Sequence, residues 1–401
     1  MRQAFALLLT VSVCAASVSP GVAAGPDVIV GFVDDAREDS RLGTTQVGIT
    51  ASTNACNIGD QPVNWMRLPD KRHPAITLNL YRLQDGRMEQ MAASWVKHGF
   101  YATNQDDCSG LREVPMPCQP GSGGNRLRPG CSDLYTEDLN ANPANLGPRS
   151  RIDNPASGDF DGNRAQDLTG YPSSIPAERI LLVEESALAA PTARFFVEAH
   201  YVAADDAVAG NSRNNVTYRE VKPVLRNGSW VLRNASEEVR LQPAAHAWRE
   251  AGAQLTEIEG LESGIRTFAL VGSKATRLAD GRYRYDYLVY NMNSDLAFNG
   301  FSVPVSGVDM SSVWFKSMAP KGEIWSTSPW TGRADGGRLV WSTAAYEADP
   351  KANAIRWGTS FNFSFVSSAA PGTANAVLTR FRRPADPTAQ TVSASVIAPG
   401  N

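Results

Sequence analysis

The feature that most constrains this chain is strict alternation near its C-terminal end. In AIRWGTSFNFSF, Ile355, Trp357, Thr359, Phe361, Phe363 and Phe365 alternate with Arg356, Gly358, Ser360, Asn362 and Ser364. Successive side chains of a strand point to opposite faces, so such a run has one apolar face and one polar face. Phe301, Val303 and Val305 repeat the pattern, as do Val377, Thr379 and Phe381, and Tyr283, Tyr285 and Tyr287 share a face in YRYDYLVY. One apolar face per strand is what a two-layer antiparallel sandwich needs. Residues 261–401 are therefore predicted to form an antiparallel β-sandwich, with these aromatics as core rather than as a sugar-binding platform.

Residues 25–260 are predicted to be a second, loop-rich β domain, so the fold class is mainly β. Asp27 to Val33 and Gln46 to Ala51 read as short strands, ARFFVEAHYV as another, and Asn227-Gly228 as a turn between two more. HAWREAGAQ is the best short helix. Between residues 104 and 175 periodicity is lost in a stretch dense in Pro, Gly, Asn and Asp. A loop of that length inside a domain carries function or is held by cross-links.

The ends and the cysteines set the compartment. Residues 1–24 read as a secretory signal peptide: Arg2, the apolar run Ala4 to Ala16, the break at Pro20-Gly21, then small residues. No other run is long and apolar enough to span a bilayer, and the mature chain is expected to be secreted, periplasmic or extracellular. Cleavage would leave Cys56, Cys108, Cys118 and Cys131, an even set that reads as two disulfides with three possible connectivities. Zinc is the weaker reading, because no C-x-x-C pair occurs. The 38 Lys and Arg against 41 Asp and Glu leave no basic stripe, which excludes a nucleic-acid partner of the usual kind.

Two places carry candidate chemistry. In DFDGNRAQDL, Asp159, Asp161, Asn163 and Asp167 are spaced around Gly162 as oxygen ligands for calcium, with a polar Asx-turn loop as the alternative. In HPAITLNLYRLQDGRMEQMAASWVKHGF, Asp85-Gly86 is a two-residue hairpin turn. An unbroken register from that turn pairs Arg82 with Glu89, Leu80 with Met91, Leu78 with Ala93 and Ile76 with Trp95. It also sets His73 opposite His98, close enough for two imidazoles to share a metal or a proton. His200 and His246 are expected to be ordinary surface or helix residues.

The ordered series CNIGDQPVNW, HPAITLNLYRL, DGRMEQ, SWVKHGF, GCSDLY and LGPRS resembles a family of exported bacterial proteins of unassigned function. VYNMNSDLAFNGFSVPV and IRWGTSFNF resemble that family's C-terminal part, which the resemblance implies is β-sandwich-like. Leu134 stands where the family usually has Pro, and His200 where it typically has Gly. The motifs gather His73, Arg82, Lys97, His98, Asp133, Tyr135 and Arg149. One expectation is an enzyme, a hydrolase or lyase acting on an extracellular polymer. A histidine would be its base, Tyr135 or Lys97 its acid, and Arg149 would neutralise a carboxylate or oxyanion. A transition metal on His73, His98 and Asp133 is a variant of it. The other expectation is a non-catalytic extracellular binding or structural protein.

Overall fold

The computed structural model describes residues 22–119, 121–172, 175–318 and 320–400. The leader expected over residues 1–24 lies outside the described residues except for its last three. Among the described residues no helix is long and apolar enough to cross a membrane.

The N-terminal part is built on one large antiparallel sheet. Its order is Leu181–Glu184, Gln46–Asn57, Val28–Leu42, Ser229–Arg240, Val216–Arg226, Arg194–Val202, Ala75–Gln84, Val96–His98 and Leu146–Gly147. Arg87–Ala93 pairs alongside Ala75–Gln84, and Ser132–Tyr135 alongside Gln46–Asn57. Val30, Ile49, Leu80, Val197, Trp65 and Tyr135 belong to the apolar core of this part. The stretch around residues 104–135 is held down by Cys56–Cys108 and Cys118–Cys131, which settles the connectivity the sequence left open.

The C-terminal part is the expected sandwich of two five-stranded antiparallel sheets. Phe301, Tyr285, Tyr287, Phe361, Phe363, Phe365 and Trp341 fill the space between them, so the aromatics are core. Its first strand, Gln254–Glu262, pairs with Ile265–Arg277, so the sandwich begins ahead of the division expected at residue 260. The alternating run is also shorter than expected. Gly358 takes φ +67°, which turns the chain, and the strand runs Thr359–Ser367. Ile355 and Trp357 lie before it, and Trp357 packs with Ile152 and Phe160 instead of in the sandwich.

The Asp85-Gly86 turn forms as expected, with φ +52° and +76°, and Gln84, Leu83, Arg82 and Tyr81 face Arg87, Met88, Glu89 and Gln90. Beyond Tyr81 the register slips by one, so Leu80 faces Ala92 rather than Met91, and Asn79 rather than Leu78 faces Ala93. It slips by one again around Ser94-Trp95, so that Ile76 faces Lys97 and Ala75 faces His98. A one-residue slip turns a strand's side chains over to the other face, and a second restores them. The two slips together leave His98 on the face of Ala75, and therefore of His73 two residues on.

Candidate functional site

The two histidines meet. His73 Nε2 and His98 Nδ1 are 3.0 Å apart, their rings are edge-on at 86°, and Phe160 packs against both at 5.2 and 5.1 Å between centroids. Pro74 has no N–H to donate, so the ladder stops at Ala75 and His73 reaches across diagonally. Both rings are buried, and among the described residues neither His73 Nδ1 nor His98 Nε2 has a hydrogen-bond partner. Burial drives the His73 pKa down to about 4, against the opposite pull of nearby Asp70. Burial also holds His98 well below its ordinary value, reinforced by His73 and Lys97. At neutral pH the pair is therefore two neutral imidazoles sharing one N–H···N bond.

The other motif residues do not join them. Lys97 adjoins His98 in the strand Val96–His98, and neighbours in a strand point to opposite faces. Its ammonium lies 4.4 Å from the centroid of the Phe100 ring and 4.6 Å from that of Tyr135, and donates to the His98 carbonyl at 3.0 Å. Burial lowers its pKa to about 7. The Tyr135 hydroxyl accepts from Trp65 Nε1 at 2.9 Å and from the Phe100 amide at 3.1 Å, and burial keeps it protonated far above neutral pH. Neither group faces the imidazoles as an acid would.

Arg149 is fully buried, and each of its three guanidinium nitrogens already has acceptors in the protein. Nε donates to the Ser94 carbonyl at 2.6 Å and Nη1 to that of Gly358 at 3.0 Å, while Nη2 reaches the Leu78 carbonyl and Asn79 Oδ1, both at 3.0 Å. It ties the N-terminal hairpin to the sandwich, and the expected substrate-neutralising role does not fit its surroundings. Arg82 ion-pairs with Glu89 at 3.1 Å, the contact that the turn's register implies.

Neither metal set assembles. Asp133 Oδ1 accepts from the Thr103 amide and hydroxyl at 2.7 and 2.8 Å, on the Lys97 side of the strand, so the histidine pair lacks the third ligand a zinc site needs. Burial raises the Asp133 pKa to about 6. In the expected calcium loop, Asp159 ion-pairs with Lys71, Asp161 caps the Asn163 amide at 3.0 Å, and Asp167 caps the Thr169 amide at 2.9 Å and pairs with Arg151. That is the Asx-turn alternative. Gly162 lies so tightly against the Pro69 carbonyl that a Cβ there would stand 1.9 Å from it, so a packing need accounts for this glycine. Among the described residues no group of three His, Cys, Asp or Glu could hold a metal ion.

His98 does line a cavity of about 410 Å³, with Arg67, Leu68, Gly99, Phe100, Asn145 and Gln166. Arg67 makes no ion pair among the described residues, and Gln166 is held by the Ala144 carbonyl at 2.7 Å. A cationic, amide-lined pocket with one aromatic wall can hold a polar ligand.

Several polar groups escaped the sequence reading. His200 is fully buried in the strand Arg194–Val202, not on the surface, because both faces of that strand are covered. Glu198, two residues earlier, accepts from Asn79 at 2.7 Å and from the Ala244 amide at 2.7 Å, and burial raises its pKa to about 7. Glu323 accepts from the Arg149 amide at 2.5 Å and from the Ser150 hydroxyl, and burial raises it likewise to about 7. A charged residue within an otherwise apolar run, as in FFVEAHYV, is the sequence signal that could have marked Glu198; Glu323 has none.

No family model matches this chain, and no curated protein matches it. Among solved structures, the serine-rich repeat adhesion glycoprotein Srr1 of Streptococcus agalactiae is similar over 88% of this chain and 89% of its own, at 10% identity and a TM-score of 0.22. A likeness at that score carries no argument.

Proposed function

We propose that this is a secreted, non-catalytic binding protein whose motif residues form the rigid frame of a surface that takes an extracellular polymer. The observation that carries this reading is the state of Arg149, whose guanidinium nitrogens are taken up by three backbone carbonyls and an amide oxygen. Catalytic charge stabilisation needs donors aimed at a reacting group rather than at the protein's own backbone. Lys97 and Tyr135 support the same reading, since both are satisfied inside the core. The cavity beside His98 is the docking cleft, with Arg67 and Gln166 as its polar contacts.

A second reading keeps catalysis at His98, because that ring lines the cavity and its Nε2 has no partner among the described residues. The two are separated by incubating the purified mature protein with neutral and acidic polysaccharides, reading retention and product release together. The binding reading expects retention on at least one polymer without products, weakened by Arg67→Ala. Products formed by the wild type and by the exposed control Arg277→Gln, but lost in His98→Ala, would establish the enzyme instead.

A further inference from the structure

A second cavity, of about 230 Å³, lies at the seam between the LGPRS segment and the sandwich, and its charge is unbalanced. Arg149 and Ser150 line it from one side, and Lys351, Arg356, Arg382 and Asp295 from the other. Arg382 pairs with Asp295 at 3.2 Å, the Arg149 guanidinium is taken up by carbonyls and an amide oxygen, and Glu323 is held by the Arg149 amide and the Ser150 hydroxyl. That leaves Arg356 and Lys351, neither of which makes an ion pair among the described residues.

Arg356 is the informative group. It is only 8% exposed, and among the described residues no carboxylate reaches ion-pair distance of it, although Glu323 and Asp295 act on it from further away. Its guanidinium is flanked by the rings of Trp325, at 4.7 Å, and Phe381, at 4.8 Å. With those contacts taken up by aromatic rings, its donors are left to work in the guanidinium plane. Nη2 donates to the carbonyls of Pro350 and Ala352 at 2.8 and 3.1 Å, which fixes the side chain in place. Nε is buried, and among the described residues neither it nor Nη1 makes a hydrogen bond. Arg382 lies nearby, its side chain 35% exposed and paired with Asp295, its guanidinium 4.4 Å from the Tyr346 ring and its Nε buried without a partner among the described residues. One stacked, immobilised guanidinium, a second guanidinium shared with Asp295, and a lysine at the edge, all beside one small cavity, are a donor set that an oxyanion takes.

We propose that this seam cavity is a binding site for an oxyanion, a carboxylate or sulfate carried on a small organic body, with Arg356 as its direct ligand, Arg382 as a second guanidinium that the anion shares with Asp295, and Lys351 as a screening charge. The space is below the roughly 300–1,000 Å³ of ordinary ligand pockets, so it holds one anionic unit rather than a length of chain. The inference stands apart from the reading of the His98 cavity: turnover or its absence there leaves this site unaffected.

The test is calorimetric titration of the full mature protein with three probes: glucuronate, glucose 6-sulfate and neutral glucose. At least one anionic probe is expected to bind and glucose not to, with affinity falling as salt rises. Arg382→Gln and Arg356→Gln should each weaken binding about 10-fold or more, the usual scale for losing a charge-assisted contact. Lys351 is exposed and its side chain makes no hydrogen bond or ion pair among the described residues, so Lys351→Gln leaves the packing in place and should weaken binding about 2–5-fold. Arg277→Gln should leave it unchanged. Which anionic probe binds separates a planar carboxylate from a sulfate. If neither binds, if glucose binds equally, or if Arg382→Gln and Lys351→Gln both bind like the wild type, the proposal fails.

Discussion

The two faces of the strand Thr359–Ser367 are both buried, and they are held by different means. Phe361, Phe363 and Phe365 look into the sandwich, where Phe301, Phe315, Trp330 and Trp341 pack around Phe363 at ring separations of 4.6 to 5.7 Å. Ser360, Asn362 and Ser364 look the other way and are just as buried, because the N-terminal hairpin lies on them. Gln90 takes the Ser360 amide at 2.6 Å, Asn362 donates to the Met88 carbonyl at 2.7 Å, and Arg87 pairs with Asp286 at 2.8 Å beside Ser364. An apolar face tolerates small shifts, whereas a buried polar face must match donor to acceptor or bear an unsatisfied group. The seam therefore fixes how the two parts sit together, and the sandwich core supplies bulk stability.

The sharpest way to break that contrast is Arg149→Ala. It strands the carbonyls of Ser94, Leu78 and Gly358 in the seam, and at about 1–3 kcal/mol for each orphaned group the expected loss is about 5 kcal/mol. Arg149→Lys should recover less than half of it, since one ammonium cannot span acceptors set around a planar fork. Urea unfolding measures both, and a loss under about 1 kcal/mol for the alanine variant would show the seam to be dispensable.

Phe363→Ala probes the opposite face of the strand. A cavity in a close-packed aromatic cluster should cost about 4 kcal/mol. Unlike the Arg149 change, it should leave the hairpin's amide-exchange protection in place. Asn362→Ala comes next: the Met88 carbonyl loses its donor, and about 2 kcal/mol is expected in the same urea titration. If Asn362→Ala cost as much as Phe363→Ala, the division of labour between the two faces would be wrong.

How much of this was legible in the sequence follows the same division. The sandwich interior could be read because Phe361, Phe363 and Phe365 alternate, and alternation is a local signal that burial enforces. The polar partners of that alternation read as solvent-facing, since nothing local distinguishes water from the polar hairpin that covers them. Arg356 was hidden in this way, as the polar member of a run that breaks at Gly358. The histidine pairing was legible through the turn at Asp85-Gly86, yet the register between turn and pair was not. Two bulges intervene, and a bulge depends on backbone twist rather than on residue type. Arg149 stood out by its motif, but whether its guanidinium faces substrate or carbonyls depends on segments far away in the chain.

The smallest effect expected tests whether the seam carries its carboxyl groups neutral or charged. Burial raises Glu323 from 4.5 to about 7, so the folded protein binds its proton more tightly than the unfolded chain does. Stability from this group is then fully present below about pH 4.5 and is lost as pH rises towards 7. His73 works in the opposite sense: its pKa falls from 6.5 to about 4, so its contribution is intact above about pH 6.5 and is lost as pH falls towards 4. The two slopes oppose each other across the same window, and removing one exposes the other. Glu323→Gln keeps an oxygen for the Arg149 amide and offers an N–H to the Ser150 hydroxyl, but it cannot ionise. It should match the wild type near pH 4.5 and exceed it at pH 8, read as melting temperature against pH. His73→Gln should instead flatten the acid side only. Were Glu323→Gln to lose stability at pH 8, the carboxylate would be favourably ionised beside Arg149, and the seam would be held by charge as well as by matched hydrogen bonds.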